Sequence, residues 1–150
     1  MKKILLILGI ALMMISCDEN ADCDKFILFS PEDLVFDKQT GGTMSITASD
    51  KAFVWEIIGK KKNPDGGADS WKFKSFFEVR PPQNKITLED IKKYTEFEAF
   101  GCKVIPDASY RKFTIVVEPN CGYDAFTIGF RRIVRNASDP VPSEFEIRLE

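Results

Sequence analysis

A chain of 150 residues that is 44% apolar and 12% aromatic has room for one packed domain, and its 13 phenylalanines supply bulk for a core. The absence of histidine removes Ser-His-Asp, Cys-His and His-ligated zinc chemistry together, which leaves few enzyme mechanisms and no implied cofactor. Loss of Lys2 and Lys3 with a leader peptide would leave 19 basic against 23 acidic residues, a net charge of −4 that argues against nucleic acid as a partner.

The leader is the first legible segment. Lys2 and Lys3 open it, an apolar run from Ile4 to Ile15 follows with one interruption at Gly9, and Ser16-Cys17 closes it. About 20 apolar residues are needed to span a bilayer, so the run reads as a signal peptide over residues 1–16 rather than a permanent anchor. The sequence Met14-Ile15-Ser16-Cys17 resembles the bacterial lipobox, with Met14 where leucine is usual. That resemblance implies a lipidated Cys17, whose acyl chains would hold the protein to a membrane at about 0.8 kcal/mol per buried CH2. An ordinary secreted protein cut further along is the other reading. The acidic stretch 17–24, CDENADCD, reads as a tether; it resembles the surface-export signal of Bacteroidetes lipoproteins and is also explained as a solvated linker.

The folded part, residues 25–150, carries a period of two, the signature of strands with one buried face. Phe26 to Phe29 is apolar on both sides and predicts a first strand covered on each face, ended by Pro31. Leu34 and Phe36 alternate in a second strand. The chain reverses through Asp37 to Gly42, where Gly41 and Gly42 tolerate the positive φ that such turns require. Met44 and Ile46 form one side of a third strand, and Phe53, Trp55 and Ile57 are expected on the inner side of a fourth, with Trp55 in the core. Residues 59–70, GKKKNPDGGADS, form a loop rich in turn residues. Trp71, Phe73, Phe77 and Val79 then alternate with lysines in an edge strand closed by Pro81-Pro82. Thr87 to Asp90 is placed to cap a short helix bearing Leu88 and Ile91 and stopped by Gly101, although YTEFEAF also alternates as a strand. Three clear strands follow, marked by Phe113, Ile115 and Val117, by Phe126, Ile128 and Phe130, and by Phe145, Ile147 and Leu149. The pattern predicts an all-β fold of two sheets packed face to face, a β-sandwich.

The segments PEDLVFD, GGTMSIT, FVWEI, KVIPDASYRKFTIVVEPN and FTIGFR together resemble the BACON domain, an immunoglobulin-like sandwich found in exported proteins of gut Bacteroidetes. The resemblance spans most of residues 26–150. It implies an immunoglobulin-like β-sandwich with an insertion around residues 59–100, which is longer than the family's usual connection, and a single domain directly behind a lipid anchor departs from the family's usual multidomain setting. What this resemblance implies is a carbohydrate-binding or spacer role, whereas the surface lipoprotein of the outer membrane is what the lipobox and the acidic stretch behind it imply.

Three cysteines, Cys23, Cys102 and Cys121, remain after lipidation, and one pair with one spare is the simplest arithmetic for an oxidising compartment. Cys102 with Cys121 is the favoured pair, Cys23 with either partner the alternative, and a thiol-only metal site is disfavoured. Trp71, Phe76, Tyr94, Phe97 and Tyr123 are the candidates for stacking against sugar rings, set against the plainer role of closing the core. Glu96 with Glu98 and Glu144 with Glu146 are spaced as strand-borne carboxylate pairs but read as solvated faces, not as a glycosidase dyad. Lys60 to Lys62 with Arg131-Arg132 are candidates for lipid headgroups or an acidic glycan but read first as a solvated loop and a strand end, and the sequon-like Asn136-Ala137-Ser138 reads as incidental. Two functions are therefore expected as alternatives: a glycan-recognition module, or a structural subunit that packs on another envelope protein and binds no sugar.

Overall fold

In a computed structural model of the chain the described residues are 26–66, 70–76, 88–133 and 142–150. The leader, Cys17, the tether with Cys23, residues 77–87 with the helix cap at Thr87, and Asn136 to Ser138 lie outside them.

Two five-stranded sheets pack face to face. The first has the order β1-β3-β8-β7-β6, formed by Phe29–Ser30 (β1), Gly42–Ala48 (β3), Lys112–Val117 (β8), Cys102–Pro106 (β7) and Phe97–Ala99 (β6). The second has the order β2-β10-β9-β4-β5, formed by Asp33–Phe36 (β2), Ser143–Leu149 (β10), Ala125–Arg132 (β9), Ala52–Lys61 (β4) and Ser70–Ser75 (β5). This is an immunoglobulin-like sandwich with a single-turn helix, α1 at Leu88–Ile91, in the insertion. Every pairing is antiparallel except β2 with β10, which run parallel. The inner faces contribute Leu34, Phe36, Ile46, Phe113, Ile115, Val117, Phe126, Ile128, Phe130, Phe145 and Ile147 to one core, as the alternation predicts.

The structure departs from the sequence reading in three places. The run Phe26 to Phe29 is not covered on both faces: Ile27 is buried, whereas Phe26 is 64% and Leu28 71% exposed. Only Phe29–Ser30 pairs, on the edge of the first sheet, because Pro31 offers no N–H and the chain there crosses to the second sheet.

The second departure is in β4. A bulge between Val54 and Glu56 leaves Trp55 as the extra residue and shifts the phase of the strand. Ala52 and Val54 before it, and Ile57 after it, all join the inter-sheet core. Phe53 and Trp55 instead join Ile91 in a separate cluster flanked by Leu88, Tyr110 and Ile133, with the Arg131 guanidinium 4.2 Å from the Trp55 ring centroid. Trp55 is buried, but beneath the insertion helix rather than between the sheets.

The third concerns the end of the helix. α1 stops at Ile91, and of YTEFEAF only Phe97–Ala99 forms a strand, β6, so the strand reading holds for those residues alone. Gly101 is not a helix stop. It forms, with Phe100, the two-residue turn between β6 and β7, and both residues have positive φ (59° and 81°), the geometry that matches the twist of a tight hairpin.

Candidate functional site

Because the core claims one parity of each strand in the second sheet, the other parity builds an outward face whose rows are set by the register. Trp71, Lys60, Ala125, Arg148 and Val35 form one row across β5, β4, β9, β10 and β2. The next row is Phe73, Ile58, Thr127, Glu146 and Asp33, and the third runs Ser75, Glu56, Gly129 and Glu144.

Trp71 and Phe73 are each 59% exposed at the β5 margin of this face, two residues apart on one strand and therefore about 7 Å apart. The Lys60 ammonium lies 5.0 Å from the Trp71 ring centroid and donates to Glu146 Oε1 at 3.0 Å and Oε2 at 3.3 Å. Thr127 donates its hydroxyl to the same Glu146 Oε1 at 2.7 Å, and Arg148 donates to Asp33 Oδ2 at 2.8 Å. The aromatic pair is thus bordered by a network of donors and acceptors held on adjacent strands. In the third row the Glu56 carboxyl is raised above the usual range, first by burial and then by the neighbouring Glu144 charge, with Arg131 opposing the rise. Gly129 makes room for it, since a Cβ there would meet Glu56 Cγ at 2.6 Å.

At the end of this face, where β4 and β10 finish and β9 begins, lies a shallow cleft of about 170 Å³ lined by Lys60, Lys61, Lys62, Asp124, Ala125, Arg148, Leu149 and Glu150. Asp124 builds its floor. Its N–H donates to the Lys60 carbonyl at 2.9 Å, its Oδ2 accepts the Lys62 N–H at 2.7 Å, and its Oδ1 is ion-paired with Lys38. The Lys38 hydrogen bond, with that from Lys62, holds the Asp124 carboxyl below the usual carboxylate range.

No family model matches the chain, and no curated protein matches it.

The five aromatics singled out in the sequence are not brought together. Trp71 alone lies on the outward face. Phe97, 1% exposed, belongs to the inter-sheet core, with Tyr94 stacked on it at 5.7 Å and Phe76 edge-on at 5.1 Å. The Tyr94 hydroxyl donates to the Phe76 carbonyl at 3.3 Å, so these three close the packing near β6 rather than offering a platform. Tyr123 is also buried, tilted against Phe100 and Phe126, with the Lys61 ammonium 5.2 Å from its ring centroid. Phe73 was the residue missed as a ligand candidate. Its signal was present, since it shares the parity of Trp71 on a strand with lysines between.

The basic residues regroup as well. Arg131 and Arg132 pair with Phe53 and Ala52 at the start of β4, whereas Lys60 to Lys62 stand at its far end, so they do not form one patch. Arg132 pairs with Asp50 at 3.0 Å, and Arg148 takes the place beside the lysines. Glu96 and Glu98 share Lys103, at 3.5 and 3.0 Å, as a solvated ion-pair group. Among the described residues no group of three or more cysteines and carboxylates is placed to hold a metal ion.

Cys102 opens β7 fully buried, and Cys121, half-buried, lies in the turn leading to β9. They are neighbours: a Cβ on Gly101 would meet the Cys121 Cβ at 2.7 Å, and both cysteines are free thiols in the structure. Burial, aided by Cys121, pushes the Cys102 thiol up to about 12, so the thiolate that alkylates is absent at neutral pH. Iodoacetamide at about pH 8 is expected to label Cys121 in the reduced native protein and to spare Cys102 until denaturant is added. Site-resolved mass spectrometry checks this, and equal labelling of both before unfolding would contradict the burial of Cys102.

Proposed function

We propose that this chain is a non-enzymatic, cell-surface lipoprotein whose BACON-like sandwich recognises carbohydrate on the outward face of its second sheet. The observation that carries the reading is the pair Trp71 and Phe73, both more than half exposed and side by side on one edge strand. Aromatic faces stack on the C–H side of a sugar ring, and here they adjoin hydroxyl, carboxylate and ammonium groups already held in place. A rigid sheet carries them, so little ordering entropy is lost on binding. The lack of histidine supports a binding rather than a catalytic role.

Glycan-array and calorimetric binding by the soluble protein from residue 24 onward tests this. Trp71→Ala is expected to weaken the strongest ligand tenfold or more, about 1.4 kcal/mol, while leaving the melting temperature nearly unchanged because the ring is exposed. Absence of any bound glycan, or equal binding by the variant, would overturn the reading. The anchor is tested separately: palmitate labelling of cells should mark the full chain and be lost in Cys17→Ser.

A second reading, a subunit that binds another envelope protein, has one observation in its favour. Among the described residues β5 pairs only with β4, so its outer edge is available to an added strand. Co-purification of a protein partner, lost on truncation of β5, would favour it.

A further inference from the structure

We infer that the ligand of this face is an anionic oligosaccharide, whose carboxylate or sulfate group sits in the cleft at the end of β4 while a neighbouring ring stacks on Trp71. This rests on the carbohydrate reading above and specifies its ligand class.

The cleft is lined by Lys60, Lys61, Lys62 and Arg148 and by two carboxylates, Asp124 and Glu150; the Lys60 ammonium is already held by Glu146, so Lys61 and Lys62 carry the charge open to a ligand. Asp124 offsets part of the Lys62 charge without forming an ion pair with either lysine. Asp124 is already engaged by Lys38 and by the Lys62 N–H, which fixes it as part of the floor. Among the described residues no carboxylate lies within ion-pair distance of the Lys61 or Lys62 ammonium. Arg148 does pair with Asp33, but both side chains are more than half exposed, and a pair so solvated yields readily to a competing anion.

Position joins this charge to the aromatic platform. Lys60 is in register with Trp71, and its ammonium lies over that ring, so the cleft begins where the stacking surface ends. Polarity along the face gives the ligand a direction. Glu56 and Glu144, the carboxylates of the third row, lie four residues of strand away from Lys60 and Arg148, or about 13 Å, so an anion is drawn to one end and repelled from the other. A neutral glycan would use the platform and leave the lysines idle.

The test compares matched pairs by calorimetry on the soluble protein: an oligogalacturonate against its methyl ester for carboxylate, and a sulfated glycosaminoglycan oligosaccharide against its desulfated form for sulfate. At least one anionic member is expected to bind tenfold or more tightly than its neutral counterpart, and to lose that margin as salt is raised from about 0.05 to about 0.5 M. The double variant Lys61→Gln/Lys62→Gln should bring the ratio of anionic to neutral affinity toward one, whereas Trp71→Ala should lower affinity for the anionic ligand with the salt dependence retained. Circular dichroism confirms that both variants fold. Equal affinity for both members of each pair, with the lysine variant unchanged, overturns the anionic assignment and leaves the carbohydrate reading standing. Binding to vesicles containing phosphatidylglycerol but to no sugar, or binding to nothing, overturns both.

Discussion

Replacing Phe130 with alanine is expected to remove about 3–5 kcal/mol of stability, the largest loss for any single side chain considered. Phe130 lies in β9 with no exposed surface, and it is the point at which the two sheets grip each other. Its ring centroid is 4.8 Å from Phe29 and 4.9 Å from Phe113, residues of β1 and β8 in the opposite sheet, and Phe29 in turn meets Phe145 edge-on at 5.3 Å. Truncation removes apolar burial and aromatic pairing together, and it opens a cavity between strands whose backbones are held by ladders on both sides. A domain of this size has about 5–15 kcal/mol in total, so a large share of its stability is at risk. Urea unfolding should show the midpoint falling with the slope unchanged. A loss below about 1 kcal/mol would mean that the sheets do not pack through this ring.

Alternation made much of this architecture readable. β2, β8 and β10 bury every second residue without exception, and a strand half in core and half in water has no other way to write its sequence. β4 broke the rule because a bulge is a backbone event: Phe53, Trp55 and Ile57 look in phase in the sequence, and only the pairing of Val54 with Phe130 and Glu56 with Gly129 reveals the extra residue. Phe26 and Leu28 misled for a different reason, since apolar character does not ensure a cover. The candidate site was less legible still. Trp71 announced itself, but its neighbours Lys60, Thr127, Glu146 and Arg148 come from three other strands, and their proximity depends on register between segments up to 88 residues distant in the chain. Phe97 is buried from within a local hairpin, opposite Val104, and Tyr123 lies in no strand but packs against Phe100 and Phe126, so alternation marks the burial of neither.

Replacing Gly41 with alanine is the second substitution expected to be severe, at about 2–4 kcal/mol, and it tests the turn on which β2 and β3 depend. Asp37 organises that reversal. Its Oδ1 accepts the N–H groups of Gln39 and Thr40, both at 2.8 Å, and its carbonyl accepts the Gly41 N–H at 2.8 Å. Those backbone donors hold the Asp37 carboxyl below its usual range, so what they contribute is present at neutral pH and fades as acid protonates the group. Gly41 must then adopt φ 61°, which costs an L-residue with a side chain about 1–2 kcal/mol by itself. Space is the larger obstacle. A Cβ at this position would lie 2.2 Å from the Val117 carbonyl oxygen and 2.9 Å from Glu118 C and Pro119 N, all backbone atoms at the end of β8. Because β3 is laddered to β8 from Gly42 with Val117 onward, relief of that clash must spread along the pair. Gly66→Ala provides the control, since Gly66 has φ 73° but nothing within 4 Å of its added methyl, so only the conformational term remains. Urea midpoints should therefore separate the two variants by more than the φ penalty they share. Coincident midpoints would show that the β2–β3 turn does not press against β8.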